Sequence, residues 1–264
     1  MIRGVVLDVD GTVVRGDEPL PGAVRGVRRL REAGLPLVFC SNNPTKGAAA
    51  YVDRLGRAGF ETEPSEVVTA ATATGAYLAE HHAGETAYLF GEESVREQLA
   101  EATDLQFCDD PAAASVVVAA IDYDFGYEDM RRAVGAVDDQ TAFVGTDPDP
   151  VIPAPDGLVP GSGAIVNALA GVIGREPDAV PGKPSETALE LVSDRLGTPS
   201  EDLLIVGDRL TTDIALGERA GATTALVTSG VTDRDDLADA DQSPDYVVDS
   251  LPELLDSLAE LETL

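Results

Sequence analysis

Two aspartates separated by one residue follow the first apolar run of the chain, in the string Asp8-Val9-Asp10-Gly11-Thr12. Ligands of open α/β sheets bind outside the carboxyl ends of the strands, and this spacing lets both carboxylates approach one site from a tight turn. An acidic cap on the end of a strand is the alternative, because short strings of aspartate and glycine arise by chance in a chain rich in both.

A second pair of aspartates, Asp208 and Asp213, lies in the segment 207–213 directly after another apolar run, residues 203–206. If these acids converge with the first pair, they form a hard, all-oxygen site. Such a site suits Mg²⁺, which takes one or two carboxylates, waters and a substrate phosphate. For Asp213 the alternative is a carboxylate in the first turn of a helix, where it offsets the helix dipole.

A phosphate-binding function is indicated by Ser41, Asn42 and Asn43, which follow the apolar run 35–39 and precede a helix that Pro44 opens. A hydroxyl and main-chain N–H groups in that place can bind phosphate oxygens. The same residue types are also common at the start of a helix that binds nothing, so that interpretation stays open.

Lysine is scarce in this chain, which contains 16 arginines but only Lys46 and Lys183. Lys183 lies between Gly182 and Pro184, just before a helical pattern at 185–196. As a point charge its ammonium could neutralise a nucleophilic carboxylate and a phosphate together. Lys46 is expected to be a solvated helix residue.

The elements that must position these residues alternate between apolar runs and helical patterns. The predicted strands and helices at the two ends of the chain are 4–9, 24–33, 35–39, 47–58, 203–206, 213–220, 224–227, 246–248 and 251–261. Since right-handed crossovers join parallel strands, the pattern predicts an α/β fold with a doubly wound parallel sheet.

The middle of the chain has strands and helices of its own, which predict a smaller inserted α/β domain. Its strands are expected at 87–90, 116–121 and 142–144, and its helices at 94–102 and 128–137. The Pro-, Gly- and Asp-rich stretch 146–163 is expected to be irregular. The predicted domain organisation is a core in two parts, residues 1–78 and 180–264, with a cap domain at 79–179.

Charge restricts the partners of the chain. There are 48 Asp and Glu against 18 Lys and Arg, a formal net charge of -30 and a pI near 4.1. Nucleic acid and anionic membranes should therefore be repelled. The acids are spread along the whole chain, as in proteins adapted to high salt, and the apolar pattern beneath them argues against disorder.

Location and oligomeric state are less constrained by the sequence. The longest uncharged apolar run, 116–121, is far shorter than the ~20 residues of a membrane span, and the chain begins without a signal-peptide pattern. Cys40 and Cys108 are far apart and lie beside apolar residues, so we expect free thiols and a cytoplasmic protein. A homodimer is left open.

Taken together and in this order, the four segments DVDGT, SNN, GKP and GDRLTTD resemble the four motifs of the haloacid dehalogenase (HAD) superfamily. The order of spacers and the segment 161–184 resemble subfamily IIA, the NagD-like and para-nitrophenylphosphatase-like branch, over almost the whole chain. That branch has a cap domain between its second and third motifs. Here 142 positions separate Ser41 from Lys183, which leaves room for one.

The resemblance implies a magnesium-dependent phosphatase that acts on small phosphorylated metabolites through an aspartyl-phosphate. It implies that Asp8 attacks phosphorus and that Asp10 protonates the leaving alcohol and then activates water. Mg²⁺ would be bound by Asp8, the main-chain carbonyl of Asp10, and Asp208. The phosphoryl group would be oriented by Ser41, Asn42 and Lys183, of which Lys183 would also be catalytic. The supporting residues would be Thr12, Asn43 and Asp213. The branch often has threonine at the position of Ser41, and the hydroxyl is kept.

Other classes of protein fit the sequence less well. A dinucleotide-binding enzyme would rest on Gly161-Ser162-Gly163, but the third glycine of that motif falls on Val166, and Pro160 stands where a strand should end. A phospho-accepting regulatory protein, or one that binds phosphate esters without turnover, is the remaining alternative. A phospho-accepting signalling receiver would not need Asp10 or the inserted domain. A protein that only binds phosphate esters would be indicated by loss of Asp8 or Asp10, and both are present.

The net charge gives a first testable prediction. The negative charges of a chain with a net charge of -30 repel one another, and salt screens this repulsion. The screening length is about 10 Å at 0.1 M salt and about 3 Å at 1 M. We therefore expect the melting temperature to rise steadily between 0.1 M and 2 M KCl, as measured by circular dichroism. A melting temperature that does not change over this range would contradict adaptation to salt.

Overall fold

The computed structural model describes residues 1–154 and 157–260, which form two compact units. The first unit comprises Met1–Ser41, Ala48–Val68 and the chain from Ala188 onward, and the second comprises Asn42–Gly47 and Thr69–Thr187. The second unit is thus inserted in the sequence of the first. The domain boundaries predicted from the sequence remain a prediction.

The strands and helices are numbered in chain order. The strands are β1 Gly4–Leu7, β2 Val14–Arg15, β3 Glu18–Pro19, β4 Leu37–Ser41, β5 Val67–Thr69, β6 Thr86–Phe90, β7 Gln106–Phe107, β8 Val116–Ala119, β9 Ala142–Gly145, β10 Val151–Ala154, β11 Gly157–Pro160, β12 Leu203–Gly207, β13 Thr223–Val227 and β14 Tyr246–Val248. The α-helices are α1 Ala23–Glu32, α2 Ala48–Arg57, α3 Ala70–His81, α4 Glu93–Ala102, α5 Tyr127–Val134, α6 Ser162–Ile173, α7 Glu186–Leu196, α8 Ala215–Ala220 and α9 Leu251–Glu260.

The first unit is built on a six-stranded sheet in the order β14-β13-β12-β1-β4-β5. The strand β1 pairs in parallel with β12 on one side and with β4 on the other, and β12, β13 and β14 continue in parallel. The chain therefore winds outward from β1 in both directions, which confirms the predicted doubly wound sheet. The order reverses between β1 and β12, and such a switch point is where α/β sheets bind ligands.

Both faces of this sheet are buried, as the near-continuous apolar runs of its strands indicate. Alternate residues of β1 point to opposite faces. Leu7 lies in a core with Val27 of α1 and Leu254 of α9, whereas Val6 lies in a second core with Val192 of α7 and Leu216 of α8. The helices of the first unit thus cover both faces and hold the carboxyl ends of the strands in place.

The second unit has a four-stranded parallel sheet in the order β7-β6-β8-β9. One face packs against α3 and α4, through Leu78 and Leu99 on Val116 of β8. The other face packs against α6, where Leu169 meets Phe143 of β9. The predicted inserted α/β domain is confirmed as a fold, although β7, α3 and α6 were not predicted.

The stretch 146–163, predicted to be irregular, contains an antiparallel hairpin of β10 and β11. Pro153 pairs with Leu158, and Val151 pairs with Pro160. Proline lacks the N–H that a central strand needs, but it is tolerated in a hairpin of two strands, each of which has a free edge. The prediction of an irregular stretch was therefore wrong for β10 and β11, because their prolines are typical of a loop.

The cysteines and the helix lengths bear on two further expectations from the sequence. The thiols of Cys40 and Cys108 are free, as predicted, although only Cys40 is fully buried. Within the described ranges 1–154 and 157–260, no helix combines the length and apolar character needed to cross a membrane.

The second unit contains a buried acidic side chain, Asp147, which is only 1% exposed. Burial, and after it the neighbouring Asp149, raise the pKa of Asp147 from 3.8 to about 7, although the hydroxyls of Ser162 and Thr146 oppose the shift. Thr146 donates a hydrogen bond of 3.1 Å to one carboxyl oxygen, and the N–H of Asp149 donates one of 3.3 Å to the other. An ionised carboxyl in this place is costly.

This burial predicts a pH-dependent loss of stability. The pKa of Asp147 is higher in the folded chain than in the unfolded one, so the folded state holds the proton more tightly. The stability that this proton gives is complete below the unfolded pKa and is lost as the pH rises from about 4 to about 7. We expect Asp147→Asn to have little effect at pH 4 and to stabilise the protein by a few kcal/mol, on the order of 2 to 4, at pH 8.

Denaturant unfolding of both proteins between pH 4 and pH 8 in high salt measures this difference. The exposed Asp139→Asn variant is the matched control, and its difference from wild type should not vary with pH to the same extent. If the stability difference for Asp147→Asn is the same at every pH, the carboxyl is not protonated as the structure indicates.

Candidate active site

The first aspartate of the DVDGT segment lies at the carboxyl end of β1, in the middle of the sheet. The N–H of Asp8 donates a hydrogen bond of 2.9 Å to the carbonyl of Val206, so the pairing with β12 extends to this residue. Its carboxylate accepts a hydrogen bond of 3.3 Å from the hydroxyl of Thr12. Asp8 is buried, and its position is therefore fixed by both its main chain and its side chain.

Asp208 follows β12, and its carboxylate lies against two glycines. A Cβ atom on Gly11 would lie 2.3 Å from one oxygen of Asp208, and a Cβ atom on Gly230 would lie 1.8 Å from it. That oxygen accepts a hydrogen bond of 2.7 Å from the N–H of Val231. The space that Asp208 occupies thus exists because two loops, after β1 and after β13, carry glycine at these points.

Asp213 lies in a single turn of wide, π-type helix, Leu210–Ile214, just before α8. Its carboxylate accepts a hydrogen bond of 3.2 Å from the N–H of Arg209, and a Cβ atom on Gly207 would lie 2.1 Å from its Cγ. Asp213 therefore does offset an N–H group at the start of a helix, as one interpretation of the sequence held. It also converges with the other two acids.

Three buried carboxylates meet at the switch point of the sheet. One oxygen from each of Asp8, Asp208 and Asp213 lies within 4.8 Å of one oxygen from each of the others. Two like charges about 4 Å apart repel by about 4 kcal/mol at the effective dielectric typical of proteins, so the arrangement calls for a cation. The donors are all oxygen, and the glycines keep side chains away from Asp208, so the site fits a hard divalent cation such as Mg²⁺.

The second aspartate of the pair, Asp10, is paired with an arginine of α2. Arg54 donates hydrogen bonds of 3.1 Å and 2.5 Å to the two oxygens of Asp10. The arginine side chain is 6% exposed and that of Asp10 is 33% exposed, so the carboxylate reaches solvent while its partner does not. The pKa of Arg54 is raised because, although burial lowers it, the hydrogen bond and charge of Asp10 outweigh burial.

Ser41, at the end of β4, is also held by a residue of α2. Its hydroxyl and that of Tyr51 share a hydrogen bond of 2.8 Å, and both residues are buried. Burial raises the pKa of Tyr51, and the negative charge of Asp10 raises it further, so the phenol stays neutral. A neutral phenol can either give or accept the proton in this hydrogen bond.

Asn42 and Lys183 belong to the second unit, where they contact each other. The main-chain N–H of Lys183 donates a hydrogen bond of 2.8 Å to the side-chain oxygen of Asn42, whose amide donates one of 3.0 Å back to the carbonyl of Lys183. The same amide donates a hydrogen bond of 3.2 Å to Asp149. The structure thus brings together two of the predicted phosphate-binding residues that are far apart in sequence.

Asn43 contacts a residue two positions further along the chain. Its side-chain oxygen accepts hydrogen bonds from the N–H and the hydroxyl of Thr45, at 2.9 Å and 2.7 Å, and so forms a turn ahead of α2. Asn43 belongs to the second unit, whereas Asp8, Asp10, Ser41, Asp208 and Asp213 belong to the first. The supporting residue Thr12 contacts Asp8 directly.

Several residues that contact the predicted site residues, or leave room for them, were not predicted from the sequence: Tyr51, Arg54, Asp149, Gly230 and Val231. Tyr51 and Arg54 are three positions apart on α2, so they share one face of the helix, and a basic residue on a buried face is a usable signal in a chain with few of them. The glycine after the apolar strand β13 is a second such signal. Asp149 gives none, because the chain contains so many acids.

Two family models match the chain. One, described as haloacid dehalogenase-like hydrolase, matches residues 5–103, and the other, described as HAD-hydrolase-like, matches residues 180–254. Together they cover more than half of the chain, including every segment in which a motif was predicted.

Curated relatives match over nearly the whole length. The chain is 33% identical over 251 residues to the 5'-nucleotidase YutF of Bacillus subtilis, which covers 95% of this chain and 96% of the relative. It is 32% identical over 260 residues to an acid sugar phosphatase of Staphylococcus haemolyticus, which covers 98% and 97%.

Solved structures agree with these relatives. A p-nitrophenyl phosphatase from Archaeoglobus fulgidus has a TM-score of 0.89 and 35% identity, with 97% of this chain and 99% of that chain covered. NagD from E. coli has a TM-score of 0.85 and 29% identity, with 96% and 98% covered. A glycerol phosphate phosphatase from Mycobacterium tuberculosis, in complex with magnesium, has a TM-score of 0.85 and 30% identity, with 96% and 76% covered. The chain therefore belongs to the haloacid dehalogenase superfamily, in its NagD-like branch, subfamily IIA, and is a phosphatase of that family.

Proposed function

We propose that the protein is a magnesium-dependent phosphatase that hydrolyses small phosphate monoesters, such as sugar phosphates, through an aspartyl-phosphate on Asp8. The observation that supports this most strongly is the convergence of Asp8, Asp208 and Asp213 at the switch point of the sheet, with Asp8 held by Thr12. An acidic strand cap alone would not require three buried carboxylates from two strand ends.

In the first proposed step, an oxygen of Asp8 attacks phosphorus. The bond from phosphorus to the ester oxygen breaks, and the leaving oxygen takes a proton from Asp10. The side-chain exposure of Asp10, 33%, supports this role because the group that protonates the leaving alcohol must reach the substrate.

In the second proposed step, Asp10 takes a proton from a water molecule whose oxygen attacks the phosphorus of the aspartyl-phosphate. The bond from phosphorus to the oxygen of Asp8 breaks, inorganic phosphate leaves, and Asp8 is regenerated. Positioning and charge neutralisation supply most of the catalysis in reactions of this kind.

The residues that would hold Mg²⁺ are Asp8, Asp208 and the main-chain carbonyl of Asp10, with Asp213 supporting the waters around the ion. When bound, the ion would neutralise charge on the nucleophile and on the phosphoryl group. Among the structural neighbours, the glycerol phosphate phosphatase was solved in complex with magnesium, which supports magnesium as the ion.

The proposed phosphate-binding residues are Ser41, Asn42 and Lys183. Their support is local: the hydroxyl of Ser41 is fixed by Tyr51, and the main chain of Lys183 is fixed by Asn42. The charge of Lys183 would balance negative charge on the phosphoryl oxygens.

The proposed substrate class is small and phosphorylated, because the relatives are named for nucleotide, sugar phosphate, nitrophenyl phosphate and glycerol phosphate substrates. A net charge of -30 disfavours nucleic acid and anionic membrane as partners. The acid excess supports adaptation to high salt, and the free thiols of Cys40 and Cys108 support a cytoplasmic protein.

The nucleophile is tested by Asp8→Asn. The amide is nearly isosteric with the carboxylate but cannot form the acyl phosphate, so we expect hydrolysis of p-nitrophenyl phosphate to fall by more than roughly a thousandfold with the melting temperature unchanged. The exposed Asp53→Asn variant on α2 is the control and should retain wild-type activity. A variant that keeps a tenth of the activity would show that Asp8 is not the nucleophile. If the wild-type protein binds phosphate esters but does not hydrolyse them, a binding protein without turnover would be favoured.

The metal site is tested by chelation followed by addition of Mg²⁺. We expect EDTA to abolish the activity and Mg²⁺ to restore it. In Gly230→Ala the new Cβ atom would displace the carboxylate of Asp208, so the Mg²⁺ concentration for half-activation should rise by about tenfold or more. Gly171→Ala is the control, because its Cβ atom would meet no atom within 4 Å. Full activity after exhaustive chelation would rule out the metal.

A further inference from the structure

Arg54 is a buried cation whose hydrogen bonds all reach the segment between β1 and β3. Its two terminal nitrogens bind both oxygens of Asp10, and its Nε donates a hydrogen bond of 3.2 Å to the carbonyl of Gly16, to which one terminal nitrogen also donates. The side chain of Asp17 lies 3.4 Å from Nε. Arg54 therefore connects Asp10 to the turn of the hairpin that β2 and β3 form.

The geometry of the pair restricts the orientation of the Asp10 carboxylate. A guanidinium is planar and presents its donors in a rigid fork, so two hydrogen bonds to two oxygens of one carboxylate fix the plane of that group. A single contact from a lysine would leave the carboxylate able to rotate. Of the pair, Asp10 alone has substantial exposure, at 33%, so the fixed group is presented to solvent.

A second polar side chain of α2 acts in the same way on another proposed site residue. Tyr51 precedes Arg54 by three residues, and the guanidinium carbon lies 5.9 Å from the centre of its ring. The hydroxyl of Tyr51 binds Ser41 at 2.8 Å. One face of α2 thus supports both the proposed acid and base, Asp10, and the proposed phosphate ligand, Ser41.

A purely structural ion pair is the competing explanation. Burying a charged pair costs much of what the attraction returns, and apolar replacements of such pairs are often neutral for stability. A structural pair can leave one partner open to solvent, which reduces this desolvation cost, but it has no need to do so. A proton carrier, by contrast, must be both reachable and held in one orientation, since small misplacements of a catalytic group reduce rates strongly.

We propose that Arg54 is a positioning residue that holds the carboxylate of Asp10 in the orientation in which it exchanges protons with the leaving alcohol and with water. The inference rests on the proposed function, in which Asp10 is the acid and base. Arg54 contacts Asp10 and the hairpin turn, and the proposed role gives it no contact with the substrate. Loss of Arg54 should therefore lower turnover and have little effect on substrate binding.

The test compares kcat and KM for p-nitrophenyl phosphate with Mg²⁺ in Arg54→Met, Arg54→Lys and the control Arg57→Met. Arg57 is on the same helix but exposed. We expect Arg54→Met to lower kcat by about ten- to a hundredfold with KM within about threefold of wild type. Arg54→Lys should recover part of the loss, and Arg57→Met should remain within about twofold.

A double-mutant cycle separates positioning from general loss of structure. If Arg54 acts through Asp10, then Arg54→Met should cause no further loss, within about twofold, when it is added to Asp10→Asn. Melting temperatures of all variants serve as the folding control, and if Arg54→Met does not fold, Arg54→Lys alone and with Asp10→Asn gives the same comparison.

Two results would overturn the inference: an Arg54→Met enzyme as fast as wild type or faster, or an equal loss of kcat in the Asp10→Asn background. Either result with an inactive Asp8→Asn variant would refute only the role of Arg54. An active Asp8→Asn variant would refute the proposed function itself, so the two failures can be told apart.

Discussion

The parallel pairing of β1 with β12 is the constraint on which the rest of the site depends. The register places Leu7 opposite Val206, so that Asp8 and Asp208 leave the sheet on neighbouring strands at the same end. The winding of the chain reverses between these two strands, and in open α/β sheets such a switch point leaves a crevice at the carboxyl ends of the strands. Two acids that are 200 positions apart in sequence are thereby brought to one point.

The loops around this point have the residues that such an approach requires. The carboxylate of Asp208 fits only because Gly11 and Gly230 lack a Cβ atom, and that of Asp213 fits only because Gly207 does. Gly11 follows β1, Gly230 follows β13, and Gly207 is the last residue of β12. Glycine in these loops therefore allows three buried carboxylates to approach one another, and the Mg²⁺ proposed for the site would offset their repulsion.

The ionisable and hydroxyl-bearing residues of the candidate site were predictable from the sequence. Their residue types, and their places directly after apolar runs, indicate a site at the ends of the strands. Asp8, Asp208 and Ser41 lie at strand ends, as the alternation of elements requires, and the doubly wound sheet follows from the same pattern. Lys183 was identified by the scarcity of lysine. In the structure its main chain is fixed by Asn42, a contact that the sequence does not reveal.

The supporting contacts were not predictable, and the reason is physical. The pairing of Arg54 with Asp10 depends on the angle at which α2 packs on the sheet, and hydrophobic periodicity does not encode that angle. The hairpin of β10 and β11 was hidden because its prolines indicate a loop, whereas a two-stranded hairpin tolerates them. The helix α6 has apolar residues around much of its circumference, so its periodicity is weak.

In the proposed site, the carboxylates at the ends of β1 and β12 bind one divalent cation together. Calorimetric titration of Mg²⁺ into the metal-free protein in KCl, for wild type and for Asp208→Asn, tests this directly and without turnover. We expect one Mg²⁺ per wild-type chain and an affinity at least about tenfold lower in Asp208→Asn, whose amide keeps the shape but not the charge. Equal affinity in the two proteins, or no binding to the wild type, would contradict it.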